Sequence, residues 1–135
     1  MADKGAIEDL FSRYAWGMDS RQFAFTRDTF AADARFTLDI VGDPAIEPIE
    51  GGQQIGDFIE STTREQTDQR RHVITNVHLE DERDDAATAV AYLSLMVTDG
   101  GELRPQATGV YTVQAVRGGD GWRFHTMHLT LDRPF

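Results

Sequence analysis

Residues 103–131 read LRPQATGVYTVQAVRGGDGWRFHTMHLTL. Apolar and polar side chains largely alternate along both halves of this stretch, which is typical of β-strands whose two faces meet different surroundings. The glycine-rich break at residues 118–121 separates the halves, and such a break between two alternating runs predicts a β-hairpin. The stretch therefore predicts two long antiparallel strands, over residues 103–117 and 121–131.

The same period of two extends towards the N-terminus. It predicts further strands over residues 72–82 and 87–98, separated by Asp84-Asp85 and followed by Asp99-Gly100-Gly101. Strands of ten or more residues exceed the usual length, and in a small domain they must twist and curl. We expect the four strands to form a curved antiparallel meander.

The N-terminal half of the chain has helical periodicity instead. Apolar residues at positions 7, 10, 11, 14 and 18 predict a helix over residues 4–17, which Gly17 is expected to loosen. The remaining predicted elements are a helix over 23–30, a strand over 34–40, a loop over 42–52 with a short strand near 46–49, and a helix over 53–66. Helices on one face of a curved sheet define an α+β fold, here a single domain over residues 1–135 that encloses a pocket for a small, largely apolar molecule.

The composition excludes several classes of function. Thirteen Lys and Arg against 23 Asp and Glu give a net charge of −10, which disfavours nucleic acid and anionic membranes as partners. The chain has no cysteine, so disulfides and thiolate nucleophiles are excluded. No phosphate loop or dinucleotide motif is present, and we expect a cytoplasmic protein without a signal peptide or a cofactor.

Three short segments carry a family resemblance. Residues 14–21 read YAWGMDSR, residues 71–76 read RHVITN and residues 121–124 read GWRF. With the order of elements, they resemble the SnoaL-like branch of the nuclear-transport-factor-2-like superfamily, which includes scytalone dehydratase, bile-acid 7α-dehydratase and hexachlorocyclohexane dehydrochlorinase. The resemblance implies a cone-shaped sheet wrapped around N-terminal helices. It also implies a catalytic pair, Asp19 and His72, with Tyr14 as a third member.

The residue types suit proton transfer. Histidine titrates near neutrality and is a natural general base, and a carboxylate on its other ring nitrogen would orient it. The alternative interpretations are a core histidine with a backbone partner and a turn aspartate. On an unbroken helix, residues five apart point about 140° away from each other, so Tyr14 and Asp19 share a pocket only if the helix bends or ends near Gly17.

Further side chains are candidates for the pocket wall. Strand alternation places Asn76 and His78 on the face of His72. It places His125 and His128 on opposite faces, so we expect no metal site, and only one of the two histidines can face the pocket. The candidate substrate-binding residues are Trp16, Asn76, Tyr92, Tyr111, His125 and His128.

The sequence leaves three functions open. The first is a cofactor-independent lyase or isomerase that eliminates water or halide from a small cyclic apolar substrate. The second is a polyketide cyclase or an epoxide hydrolase with an Asp–Arg–Asp constellation, and the third is a non-catalytic binding or assembly module. Apolar residues on the outer face of the sheet predict a homo-oligomer, a dimer or a trimer, and Phe135 is expected to pack on the cone or on a neighbouring copy.

Overall fold

The computed structural model describes residues 3–134, which form three helices and six strands, and Phe135 lies outside the described residues. The elements in chain order are α1 (Lys4–Asp19), α2 (Phe23–Arg27), β1 (Phe30–Ile40), β2 (Ile49–Glu50), α3 (Gly52–Arg64), β3 (Gln69–Glu82), β4 (Ala86–Asp99), β5 (Glu102–Gly118) and β6 (Gly121–Leu131). The α+β class and the four-stranded meander are confirmed.

The six strands form one curved open sheet in the order β2-β1-β6-β5-β4-β3. All neighbouring strands are antiparallel except β1 and β6, which run parallel. The short strand lies at Ile49–Glu50 rather than at 46–49, and Glu50 pairs with Arg35 of β1. Consequently β2 and β3 are the two edge strands of the sheet. The predicted site residue His72 lies near the start of β3.

Helix α1 packs its apolar stripe against the concave face of this sheet. The Asp3 side chain caps the helix by accepting a hydrogen bond from the Ala6 amide at 3.1 Å. The buried residues of the helix recur with the predicted spacing, and they are Ile7, Leu10, Phe11, Tyr14, Ala15, Gly17 and Met18. Burial of each large side chain in this stripe stabilises the fold by about 1.5–3 kcal/mol.

Gly17 serves packing and does not end α1. The helix continues to Asp19, and α2 crosses Gly17 at close range. A Cβ atom at Gly17 would lie 2.7 Å from the Thr26 amide nitrogen. Thr26 is buried, and its hydroxyl donates to the Tyr14 carbonyl at 3.0 Å. The expectation that the helix loosens at Gly17 is therefore wrong.

Aromatic side chains fill the middle of the concave face. The hydroxyl groups of Tyr14 and Tyr111 lie 3.2 Å apart, and their rings meet edge to face with centroids 5.7 Å apart. Phe30, Phe124 and Phe11 pack around this pair. The enclosed pocket expected from the sequence is replaced here by packed rings, because bulky residues of α1 and β6 point at the same space.

Burial changes the acidity of the two phenols. Removal from water raises the pKa of Tyr14 to about 12, against a smaller lowering by its hydrogen bond to Tyr111 and a further rise from the charge of Asp19. Burial also raises the pKa of Tyr111 well above its usual value, and the neighbouring Tyr14 adds to that rise. Both phenols therefore stay neutral in the folded protein at pH values where an exposed tyrosine ionises.

We expect Gly17→Ala to lower the free energy of unfolding by about 1–2 kcal/mol, because overpacking against the Thr26 backbone outweighs the gain in helix propensity. Urea unfolding would measure the loss. Gly119→Ala is the matched control, since a Cβ there meets nothing within 4 Å, and it should stay within about 0.5 kcal/mol of the parent. An equally small effect at Gly17 would contradict the close crossing.

We expect the folded state to lose stability as the pH rises from about 10 to about 12. In that window the unfolded chain releases tyrosine protons, whereas folded Tyr14 retains its proton until its raised pKa is reached. Chemical unfolding at a series of pH values would give the slope of the unfolding free energy against pH. Tyr111→Phe should make it shallower, whereas Tyr92→Phe, which removes an exposed phenol, should leave it unchanged. A flat profile in the parent protein would contradict this account.

Candidate functional site

The C-terminal end of α1 meets the start of β3, and this contact joins Asp19 to His72. Asp19 Oδ1 lies 2.6 Å from His72 Nδ1, and Asp19 Oδ2 accepts a hydrogen bond from the His72 backbone amide at 2.8 Å. Both carboxylate oxygens are thus directed at one residue, 53 positions away in the chain. The Asp19 carboxylate therefore fixes the position of both the backbone and the imidazole ring of His72.

This contact determines which ring nitrogen of His72 is available. An ionised carboxylate only accepts hydrogen bonds, so Nδ1 carries the proton in this arrangement. Nε2 makes no hydrogen bond within residues 3–134. The two side chains are only 10% (Asp19) and 16% (His72) exposed. The geometry therefore presents an imidazole with an oriented and unpartnered nitrogen.

Further contacts hold the turn that follows Asp19. Gln69 Nε2 donates to the Asp19 carbonyl at 3.0 Å. Arg21 adopts a left-handed backbone conformation with φ of 59°, and its guanidinium donates to the carbonyls of Thr63 at 3.2 Å and Gln66 at 2.7 Å. These bonds tie the end of α1 to the end of α3 and to the start of β3. The position of the carboxylate is thus set by three elements.

A cleft of about 200 Å³ opens beside the pair. Its lining residues are Phe11, Ser12, Ala15, Trp16, Asp19, His72 and Ile74. Trp16 is 63% exposed and forms part of the rim. A second cleft of about 350 Å³ shares Phe11, Ser12 and Ile74 and continues along α1 and β3 towards Asn76. The space next to His72 is therefore an open groove between a helix and an edge strand.

Of the residues that line this groove, the sequence predicted Trp16, Asp19 and His72, and it did not predict Ser12 and Ala15. Ser12, Ala15 and Trp16 precede Asp19 by seven, four and three positions, which is the spacing of one helix face. Ile74 follows His72 by two positions, the spacing of one strand face. Counting back from Asp19 along one helix face would have found Ser12 and Ala15, whereas the apolar stripe of the helix marks the buried face instead.

Tyr14 lies apart from the groove. It is 3% exposed and hydrogen-bonded to Tyr111 in the core, and it does not line the cleft. The helix neither ends at Gly17 nor frees Tyr14 to turn towards Asp19. Tyr111 is 1% exposed and also belongs to the core. The structure brings Asp19 and His72 into contact, whereas both tyrosines lie in the core and do not line the cleft.

A β-bulge changes the predicted faces of β3. The register between β3 and β4 shifts between Thr75 and His78, and Asn76 has a φ of 59°. One extra residue reverses the alternation, so Asn76 and His78 are exposed while Val77 turns inward. The prediction that Asn76 and His78 share the inward face of His72 is wrong. Asn76 still lines the second cleft, at the end away from His72.

The remaining candidates lie away from the groove. Tyr92 is 56% exposed and pairs across the sheet with Val110. A bulge leaves His125 without a partner on β5, so the alternation shifts there as well. His125 Nε2 lies 3.5 Å from an Asp33 oxygen and His128 Nε2 lies 3.4 Å from an Asp39 oxygen. Both histidines are partly exposed and lie on the same face of the sheet, next to aspartates of β1. The prediction that they lie on opposite faces is therefore wrong.

Two general features complete the picture for residues 3–134. Within that range, no group of three or more histidine, aspartate and glutamate side chains is arranged to hold a metal ion. None of the three helices described is long and apolar enough to cross a membrane.

Comparison with known proteins supports the fold. A protein from Novosphingobium aromaticivorans described as NTF2-like with a cystatin-like fold is 21% identical, with a TM-score of 0.81 over 96% of this chain and 81% of that chain. A candidate β subunit of an aromatic-ring-hydroxylating dioxygenase from the same organism is 19% identical, with a TM-score of 0.83 over 98% and 90%. A Catenulispora acidiphila protein in complex with S-DNPA is 22% identical, with a TM-score of 0.79 over 94% and 91%.

No curated protein matches the chain. These structural similarities, all below 25% identity, establish the NTF2-like, cystatin-like architecture and nothing about activity. The sequence model of the SnoaL-like domain family matches residues 1–128, nearly the whole chain. This chain therefore belongs to the SnoaL-like domain family.

Proposed function

We propose that the protein is a cofactor-independent lyase or isomerase that eliminates water or halide from a small cyclic apolar molecule, with His72 as the base and Asp19 as its orienting partner. One observation carries the proposal. The 2.6 Å contact between Asp19 Oδ1 and His72 Nδ1 leaves Nε2 unpartnered within residues 3–134, on a residue that lines a cleft. A base must lie within hydrogen-bond reach of the proton it removes, and only a side chain at a cleft can meet a substrate.

The proposed reaction uses only proton transfer. His72 Nε2 takes a proton from the carbon next to the one that bears the leaving group, and the electron pair of the broken C–H bond forms a C=C bond between these two carbons as the bond to the leaving group breaks. Asp19 stabilises the imidazolium that forms. The imidazolium then returns its proton to a departing hydroxide and releases water, whereas a halide departs as the anion and the proton passes to solvent.

The cleft limits the substrate in size and polarity. Phe11, Ala15 and Ile74 give it an apolar wall, and Trp16 offers a ring face at the rim. Pockets for drug-sized ligands are about 300–1,000 Å³, so about 200 Å³ beside His72 suits one small ring. A larger molecule would have to extend into the second cleft towards Asn76.

The proposal assigns the chemistry to two residues. Tyr14, which the family resemblance implied as a third member, lies in the core and touches Tyr111 rather than the cleft. Its contribution is to pack α1 on the sheet, which places Asp19.

The epoxide-hydrolase alternative has weaker support. Asp19, Asp68 and Arg70 surround a void of about 10 Å³ on the other side of His72, which has room for about one water molecule. Arg70 pairs with Asp68 at 3.0 Å, whereas both oxygens of Asp19 are engaged by His72. A water there would meet an Asp19 carboxylate that already contacts His72 through both of its oxygens.

A binding or assembly module is the second candidate. It is favoured by the aromatic packing of the concave face and by the exposed Tyr92 and Val73 on the opposite face of the sheet. The predicted homo-oligomer would use that opposite face, and it stays a prediction. Under this candidate, Asp19 and His72 would hold α1 to β3 and do nothing else.

We expect His72→Gln to lower the rate of elimination by about 100-fold or more, the scale of a lost general base. The probes are β-hydroxycyclohexanone and β-chlorocyclohexanone, whose product absorbs in the ultraviolet. Asp19→Asn should lower the rate as well, because an amide cannot stabilise the imidazolium as a carboxylate does. His78→Gln, an exposed histidine on the same strand, is the control and should keep the parent rate.

Two outcomes would reject the enzyme proposal. Parent-like turnover in His72→Gln would remove His72 from the chemistry. Failure of the parent protein to accelerate either probe would favour the binding candidate for this class of substrate.

We expect Trp16→Ala to weaken the binding of cyclohexenone about two- to tenfold, the worth of one aromatic contact. Calorimetric titration would measure the dissociation constant without relying on tryptophan emission. Tyr92→Ala, an equally exposed aromatic on the other face of the sheet, should leave it unchanged. If Tyr92→Ala weakened the binding of cyclohexenone more than Trp16→Ala did, the ligand would bind outside this cleft.

A further inference from the structure

A separate cleft of about 520 Å³ lies where α2, the start of β1, the start of α3 and the β5–β6 hairpin meet. It shares no lining residue with the groove beside His72. Its volume is within the usual range of small-molecule sites. The cleft therefore has room for a ligand of its own, independent of the Asp19–His72 pair.

An irregularity of the sheet produces this cleft. Phe30 pairs with Phe124, and the next pair along β1 is Arg35 with Thr126, so residues 31–34 have no regular partners on β6. The strand bows outward over this segment. Gly118 borders the cleft from the hairpin, and a Cβ there would meet nothing within 4 Å. The opening is thus formed by backbone geometry and by the lack of a side chain.

Arg123 is the group that distinguishes the cleft chemically. Its Nε donates to the Asp28 carbonyl at 3.1 Å, which anchors one edge of the guanidinium. Within residues 3–134, its two terminal nitrogens form neither an ion pair nor a hydrogen bond. A guanidinium fixed through Nε keeps a second edge, Nη1 and Nη2, that matches a carboxylate.

The other charged residues at the cleft are Arg27 and Asp28. Arg27 also lines it, but its Nη2 pairs with Asp57 at 2.9 Å and lies 3.9 Å from Glu60. Asp28 is the acidic residue of the lining, and its carboxylate stays beyond ion-pair distance of Arg123. One uncompensated cation beside one carboxylate, in a chain of net charge −10, favours a ligand with a single negative charge over a polyanion such as a nucleotide.

We propose that this cleft binds a small monocarboxylate with an apolar ring or chain. The carboxylate is held by the free edge of Arg123, and the apolar part lies on Phe30, Ala31 and Val116. The site is built from residues that the proposed elimination does not use.

The test is a titration of the full chain with benzoate, followed by the backbone amide signals of residues 31, 32, 118 and 121 in nuclear magnetic resonance. We expect saturable shifts at millimolar benzoate. Arg123→Gln should weaken binding about tenfold or more, the worth of a charge-assisted hydrogen bond. Gly118→Val should weaken it by filling the cleft.

Matched variants separate the outcomes. Arg104→Gln removes an exposed arginine elsewhere and Gly119→Ala alters the same hairpin outside the cleft, so both should bind benzoate like the parent. His72→Gln should also bind normally, which keeps this test independent of the proposed reaction. Absence of saturable shifts in the parent, unchanged affinity in Arg123→Gln with a native spectrum, or equal affinity for benzyl alcohol would each overturn the proposal.

Discussion

The apolar stripe of α1 must be buried against the concave face of the sheet, and most of the structure follows from this constraint. Tyr14, at the middle of the stripe, meets Tyr111 and Phe124 and fixes how deeply the helix lies. Because that face turns inward, the opposite face of the last helical turn carries Trp16 to the surface. Gly17 allows α2 to close over the helix, so the turn after Asp19 is held at the start of β3.

The same packing moves the candidate site from the interior of the cone to its edge. Aromatic rings pack around Tyr14 on the concave face, whereas the seam between α1 and the edge strand β3 is only partly closed. A hydrogen-bonded carboxylate and imidazole at this seam are mostly buried yet border an open groove. Buried ionisable groups need partners, and here each of the two residues satisfies the other.

Two of the clefts, the one that reaches Asn76 and the one beside Arg123, are associated with irregular strand pairing. At Asn76, the bulge in β3 reverses the alternation, so Asn76 is exposed at the far end of the second cleft, and the bulge interrupts an exposed sheet edge. Where β1 leaves its register with β6, the backbone bows out and Arg123 reaches across to the Asp28 carbonyl.

The sequence by itself determined the class of fold and the order of the elements, and its family resemblance implied the pairing of Asp19 with His72. Period-two alternation, glycine-rich turns and one helical stripe were sufficient for the first two, because each reflects local backbone preferences and the side that must be buried. The pairing came from a family resemblance rather than from spacing, since nothing local relates residues 53 positions apart. Only the tertiary structure decided which side chains face a cleft: bulges at Asn76 and His125 reversed the alternation, and ring packing placed Tyr14 in the core. A one-residue shift in a strand is invisible in the sequence pattern, because its cause is the curvature of the whole sheet around α1.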